Sequence, residues 1–131
     1  MKLVLDTNVL IAAFITHGVC NELLEYCALN HGVILSPFII AELKEKLVQK
    51  FGYSAREAED VTRLLRSRFA VVTAGKLESP ICRDADDDNI LATALAGHCE
   101  CVATGDQDIL ALEGVGGLRI VTPSGFWETE E

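Results

Sequence analysis

A chain of 131 residues, half of them apolar and with a slightly positive mean hydropathy, is long enough to bury a core without disulfide or zinc staples. Disorder is expected only at Glu128 to Glu131. No apolar run reaches the about 18 residues of a membrane span. The opening Met-Lys-Leu-Val-Leu is cut short by Asp6, too soon for a signal-peptide core, so the expected location is cytoplasmic. The net charge of -9 counts mildly against a nucleic-acid binder, which is usually basic.

The charge is unevenly spread. Seven of the 11 basic residues fall between Lys44 and Arg68, whereas Asp84 to Asp88 holds four carboxylates. Bound divalent cations or a basic partner protein would each offset an acidic total. The five cysteines are odd in number and fit reduced thiols filling a core. His98, Cys99 and Cys101 lie close together, but no second cluster completes a soft-metal site.

In chain order, Leu3 to Leu5 reads as a strand and Thr7 to Ile15 as a helix. Asn21 to Ala28 has helical spacing, and Val33 to Leu35 is a β-branched run ended by Ser36-Pro37. Pro37 to Phe51 opens with a proline suited to a first helical turn and places Ile40, Leu43, Leu47 and Phe51 on one side. Ser54 to Arg68 begins with the capping-box pair Ser54 and Glu57. Ala70 to Val72, Cys101 to Thr104 and Leu118 to Val121 are further strand candidates; Asp87 to Ala96 is a helix closed by Gly97. Short apolar strands alternating with amphipathic helices predict an α/β fold with a mainly parallel sheet, whose ligands gather at the carboxyl ends of the strands.

Four regions supply carboxylates able to converge: Asp6 after the first strand, Glu42, the Asp84/Asp86/Asp87/Asp88 group, and Asp106 with Asp108 after the fourth strand. Gathering them without a cation is costly: two like charges about 4 Å apart repel by about 1 kcal/mol in water and about 4 kcal/mol at an intermediate dielectric. Hard oxygen ligands suit magnesium and manganese, ions that serve phosphodiester hydrolysis. Each acid also has a plainer use. Asp6 and one of Asp84 to Asp88 suit helix caps, Glu42 a solvated helix face and Asp106 a turn; Asn8 suits a helix start or an orienting bond to Asp6. Spacing alone supports a divalent-metal site and says little about substrate.

Asp6-Thr7-Asn8-Val9-Leu10 after a strand resembles the opening signature of PIN domains. Ser36 with Ala41-Glu42-Leu43, Asp84-Ala85-Asp86-Asp87-Asp88-Asn89-Ile90-Leu91, Thr104-Gly105-Asp106-Gln107-Asp108-Ile109-Leu110 and the ending Val121-Thr122-Pro123-Ser124-Gly125-Phe126 resemble the rest, in order. The likeness is to the toxin subgroup of toxin–antitoxin systems, the VapC-like ribonucleases. It implies one three-layer α/β/α PIN-like domain over residues 1–131, with a mainly parallel sheet of four to five strands. It also implies magnesium- or manganese-dependent ribonuclease activity by metal-activated water, a cognate antitoxin and a homodimer or higher homo-oligomer.

Carried over by position, the catalytic and metal-binding acids are Asp6, Glu42, Asp87 and Asp106. Asp87 is preferred to Asp88 because the position after the key acid tolerates asparagine in the family. Asn8, Ser36, Asp84, Asp88, Thr104 and Asp108 would be accessory. Ala85 departs from the subgroup, where proline is common, and is expected to alter the local turn rather than the chemistry. No histidine falls in a motif, which favours a metal-generated hydroxide as the nucleophile, and its attack on phosphorus would leave a 3′-hydroxyl and a 5′-phosphate. Lys44, Lys46, Lys50, Arg56, Arg63, Arg66 and Arg68 would steer the RNA backbone, or else form solvated helix faces or a dimer contact.

Three other readings fit less well. A haloacid-dehalogenase phosphatase needs a second aspartate where Asn8 stands. A response-regulator receiver lacks its paired acids. A degenerate PIN-like binding module is disfavoured because all four acids are present.

Overall fold

The computed structural model describes every residue except 76, 78, 113, 114 and 131. The first strand, β1 (Lys2–Leu5), buries Leu3, Val4 and Leu5 completely, because helices cover both faces of the sheet. It is followed by α1 (Thr7–Ile15), α2 (Val19–Asn30) and β2 (Gly32–Leu35). Next come α3 (Pro37–Phe51), α4 (Ala55–Arg68) and β3 (Ala70–Val71). The second half carries α5 (Ala85–Ala96), β4 (Cys101–Ala103), α6 (Gln107–Leu110) and β5 (Arg119–Val121). A 3-10 helix, Gly125–Glu130, closes the chain.

Among the described residues the sheet has five strands, all parallel, in the order β3-β2-β1-β4-β5. Leu3 pairs with Val33 on one side of β1, and Val4 pairs with Val102 on the other. The chain therefore winds one way from β1 to β3 and the other way from β4 to β5. The connections leaving β1 and β4 diverge, and their carboxyl ends frame a crevice, the place where ligands bind in open parallel sheets. Asp6 follows β1 directly, and Thr104-Gly105-Asp106 follows β4.

Local signals set most boundaries. Ser36 caps α3 by accepting from the Ile39 N–H, and Pro37 occupies the first turn. Ser54 and Glu57 complete the capping box at α4. Helix α1 is buried on several sides, at Val9, Leu10, Ile11 and Ala13, whereas α4 buries only Ala58, Thr62 and Leu65. This difference matches the apolar content of the two segments.

Several expectations change. Helix α5 begins two residues earlier than predicted, at Ala85, with Asp84 as its cap. Ala85 thus stands at the first helical position, where proline is also at home. Gly97 closes α5, but at φ -84 it does not use left-handed freedom; His98 takes that conformation at φ 52. Gly97 is required for space, since a Cβ there would lie 2.9 Å from Ile34 Cγ2. Strands β3, β4 and β5 are each one residue shorter than read from hydropathy.

The acidic tail is also different. Glu128 to Glu130 belong to the 3-10 helix, anchored by fully buried Phe126 and by Trp127 packed edge-on to Tyr26 at 4.9 Å; Glu131 lies outside the described residues. No single helix among the described residues is long and apolar enough to cross a membrane.

Candidate metal centre

The site is assembled at the crevice between β1 and β4. Asp6 is only 7% exposed. Its side chain makes no capping bond at α1; instead Oδ2 accepts from the Thr104 hydroxyl at 2.6 Å. The Thr104 oxygen in turn accepts from the Asp106 N–H at 3.0 Å. One threonine therefore ties the acid after β1 to the turn after β4. Burial raises the Asp6 pKa, the Thr104 bond and the Thr7 N–H oppose that, and Asp106 adds repulsion that Lys46 partly offsets. The neighbouring Thr7 is fully buried, and its Oγ1 has no hydrogen-bond partner among the described residues.

Asp87 lies in the first turn of α5 and is 9% exposed. Its pKa is pushed up to about 6, first by burial and then by the charges of Asp106, Asp84 and Asp6; a hydrogen bond to Asp106 also favours its protonated form. Asp106 caps α6 through Oδ1, accepting from the N–H groups of Asp108 at 2.8 Å and Ile109 at 3.3 Å. The plain use as a turn residue is thus real, and it fixes the carboxylate at the crevice as well. One carboxylate oxygen each from Asp87, Asp106 and Asp108 lie within 4.8 Å of one another.

The remaining predicted residues divide. Asp84 caps α5 by accepting from the Asp86 N–H at 2.9 Å and adds negative potential at Asp87. Asp88 turns the other way and accepts from the N–H groups of Ile81 and Cys82, at 2.8 Å for Cys82. That loop-holding role separates it from Asp87. Glu42 is half-buried on α3 and lines a groove with Phe38, Ala41, Glu45, Lys46 and Asp86, outside the three-carboxylate group. Asn8 is exposed, and its Oδ1 accepts from Lys46 at 3.4 Å; no bond to Asp6 accompanies it.

Ser36 is buried, its oxygen 2.8 Å from the Thr93 hydroxyl, which is also 2.8 Å from the Asn89 carbonyl. Ser36 thereby braces α5 rather than facing solvent. Of the basic residues, Lys44 pairs with Glu59 and Arg63 with Asp60 at 3.5 Å, both within the α3–α4 hairpin. Lys50, Arg56, Arg66 and Arg68 are exposed. Lys46 alone of that group acts on the site acids, through Asn8 and the Asp6 charge.

Three participants escape a reading of the sequence. Arg83, in the loop before α5, donates to Asp108 Oδ1 at 3.0 Å. Thr93 braces Ser36, and Thr7 holds an unanswered buried hydroxyl. Arg83 had one visible signal, its place directly before the acidic run. Thr93 looks like any helix residue. The cysteines stay structural: burial raises the Cys99 thiol to about 11, and burial with Asp88 raises Cys82 to about 12.

The donor set fits a hard divalent cation. Its members are carboxylate oxygens, nearly buried at Asp6 and Asp87, mutually repelling and short of compensating charge. Each of these destabilising features changes sign when a cation is present.

No curated protein matches the chain by sequence. Solved structures share its fold. VapBC2 from Rickettsia felis, bound to a DNA fragment from its promoter, is 18% identical with a TM-score of 0.65, covering 92% of this chain and 97% of its own. A toxin–antitoxin complex from Klebsiella pneumoniae is 23% identical with a TM-score of 0.61, covering 92% and 97%. VapC20 from Mycobacterium tuberculosis, a sarcin-ricin loop cleaving toxin, is 13% identical with a TM-score of 0.62, covering 86% and 96%. The family profile of the PIN domain matches residues 2–108, a span that contains Asp6, Glu42, Asp87, Asp106 and Asp108. The chain belongs to the PIN-domain family.

Proposed function

We propose that this PIN domain is a divalent-metal-dependent endoribonuclease, using magnesium or manganese, and the toxin half of a toxin–antitoxin pair. The observation that carries the reading is the convergence of the Asp87, Asp106 and Asp108 carboxylates beside nearly buried Asp6, at the crevice between β1 and β4. Residues 1–131 act here as one cytoplasmic domain.

Asp6, Asp87 and Asp106 would hold the ion, with Asp108 completing the set. When bound, the ion supplies Lewis-acid polarisation of the phosphate and activation of water. The protein's share is placement. Thr104 fixes the Asp6 carboxylate, the α6 cap fixes Asp106, and the first turn of α5 fixes Asp87. Glu42, on the groove it shares with Lys46 and Asp86, would hold the attacking water or assist its deprotonation. The water oxygen would bond to phosphorus as the bond to the 3′ oxygen breaks, and that oxygen would take a proton from solvent and leave as a hydroxyl.

Lys46 borders the site acids through Asn8, and exposed Lys50, Arg56 and Arg66 would extend the RNA-binding surface along α3 and α4; Lys44 and Arg63 would join it only on releasing their acidic partners. The antitoxin reading is supported by the toxin–antitoxin complexes among the structural neighbours, and exposed Val48, Phe51 and Leu64 on α3 and α4 would suit self-association.

The test is cleavage of structured and single-stranded RNA by the purified protein with manganese, magnesium or EDTA, beside Asp6→Asn. Manganese- or magnesium-dependent cleavage that Asp6→Asn abolishes is expected. Cleavage that persists in EDTA, or is equal in the variant, would overturn the mechanism.

A further inference from the structure

The three-carboxylate group has a cation of its own. Arg83 Nη2 lies 3.0 Å from Asp108 Oδ1, and Asp108 is one of the three acids gathered within 4.8 Å. The Arg83 side chain is 87% exposed and that of Asp108 is 46% exposed. An ion pair so open to water adds little to folding stability. Its partners exchange at small cost. The other described side-chain ion pairs, Lys44–Glu59 and Arg63–Asp60, lie in the α3–α4 hairpin, away from the acids.

Two cations therefore border the acids from separate elements: Lys46 from α3 through Asn8, and Arg83 from the loop before α5 through Asp108. Only one guanidinium bond is made to Asp108, whereas a guanidinium offers five N–H donors in a fork that matches phosphate oxygens. A divalent cation drawing on Asp108 would weaken that carboxylate's hold on Arg83. The same event that readies the site for phosphate would leave a phosphate-binding group beside it.

We propose that Arg83 is an RNA-binding residue of this site: it rests on Asp108 in the metal-free protein and transfers to a backbone phosphate of the RNA when substrate is bound. The proposal rests on the nuclease reading above. It adds a contact from a separate element to the one Lys46 would make from α3.

The test compares wild type, Arg83→Ala, Arg83→Lys, Asp108→Asn and the double variant Arg83→Ala with Asp108→Asn. Binding of a labelled single-stranded RNA is measured in EDTA across a salt series, manganese affinity is measured separately without RNA, and cleavage is split into kcat and KM. Arg83→Ala is expected to raise KM about 5- to 20-fold with kcat within about 3-fold, and to lower the salt slope by about 0.7, the loss of one phosphate contact on a single strand. Arg83→Lys recovers part of the affinity. Asp108→Asn tightens RNA binding in EDTA, a gain that the double variant lacks.

An unchanged KM and salt slope in Arg83→Ala, with manganese affinity down 10-fold or more, would show that Arg83 merely tethers Asp108. A wild type that neither binds nor cleaves any RNA would overturn the nuclease reading and this proposal together. A wild type that cleaves RNA with the KM of Arg83→Ala would overturn this proposal alone.

Discussion

Two charged regions of this protein are built on opposite principles. In the α3–α4 hairpin, acids and bases alternate and find one another: Lys44 meets Glu59, Arg63 meets Asp60, and Glu57 is used up in the capping box of Ser54. At the crevice between β1 and β4, acids meet acids. Asp87 is nearly buried among Asp6, Asp84 and Asp106, and its pKa rises to about 6 in consequence. A surface selected only for stability resembles the hairpin. A cluster that accumulates repulsion marks where the protein gives up stability for something absent from the chain itself.

The largest test of that contrast is chemical. Asp106→Asn removes a charge from the cluster while its amide oxygen can still accept the Asp108 N–H at the α6 cap. RNA cleavage at saturating manganese is expected to fall at least about 100-fold. A hairpin variant such as Glu59→Gln should leave the rate within about 2-fold. Equal rates for Asp106→Asn and wild type would break the comparison outright.

Next in size is the response to metal. Manganese at about 100 times its dissociation constant stabilises a protein by about 2.7 kcal/mol, or roughly 8–10 °C in Tm for a chain of this length. That shift is expected in wild type and should disappear in a variant carrying both Asp87→Asn and Asp106→Asn.

Without metal, the same cluster should destabilise the fold in a pH-dependent way. The folded pKa of Asp87, about 6, lies above the unfolded value of about 3.9, so the folded state holds the proton more tightly. Stability from this group is therefore full below about pH 4 and is lost as pH rises to about 6. Discounted for solvent at the open side of the site, the loss is about 1 kcal/mol. Asp87→Asn should melt about 3 °C above wild type at pH 7.5 in EDTA, with the gap closing by pH 4. A gap of the opposite sign, or one independent of pH, would contradict the repulsion account.

The smallest effect separates two lysines two positions apart. Lys46→Gln, which removes a cation bordering the acids, should raise KM for RNA several-fold. Lys44→Gln removes a half-exposed partner of Glu59 and should change KM less than about 2-fold and Tm less than about 2 °C. Equal effects would merge the hairpin and the crevice into one electrostatic surface.

The strands and the placing of Asp6 and Asp106 were legible because their signals are local: a short apolar run ends, and a carboxylate follows. The capping box of Ser54 and Glu57, and a cap somewhere in Asp84 to Asp88, were legible for the same reason, whereas the Ser36 cap and its contact with Thr93, which spans 57 positions, did not show. The ranking of the acids was less visible. Asp108 joins the close group and Glu42 stands on a neighbouring groove, a distinction set by how α3 and α6 sit against the sheet. Arg83 stayed hidden because its segment has no periodic pattern and its partner lies 25 positions on.

The bond between Thr104 and Asp6 joins residues 98 positions apart. Neither half of the site exists in a fragment, since Asp6 reaches its threonine only after β4 has slotted beside β1 in a parallel register. Contacts of such long sequence separation form late and slowly. On the proposed nuclease reading, a growing or refolding chain would gain activity only once almost the whole sheet is complete, and a refolding assay should show cleavage lagging behind the recovery of helix.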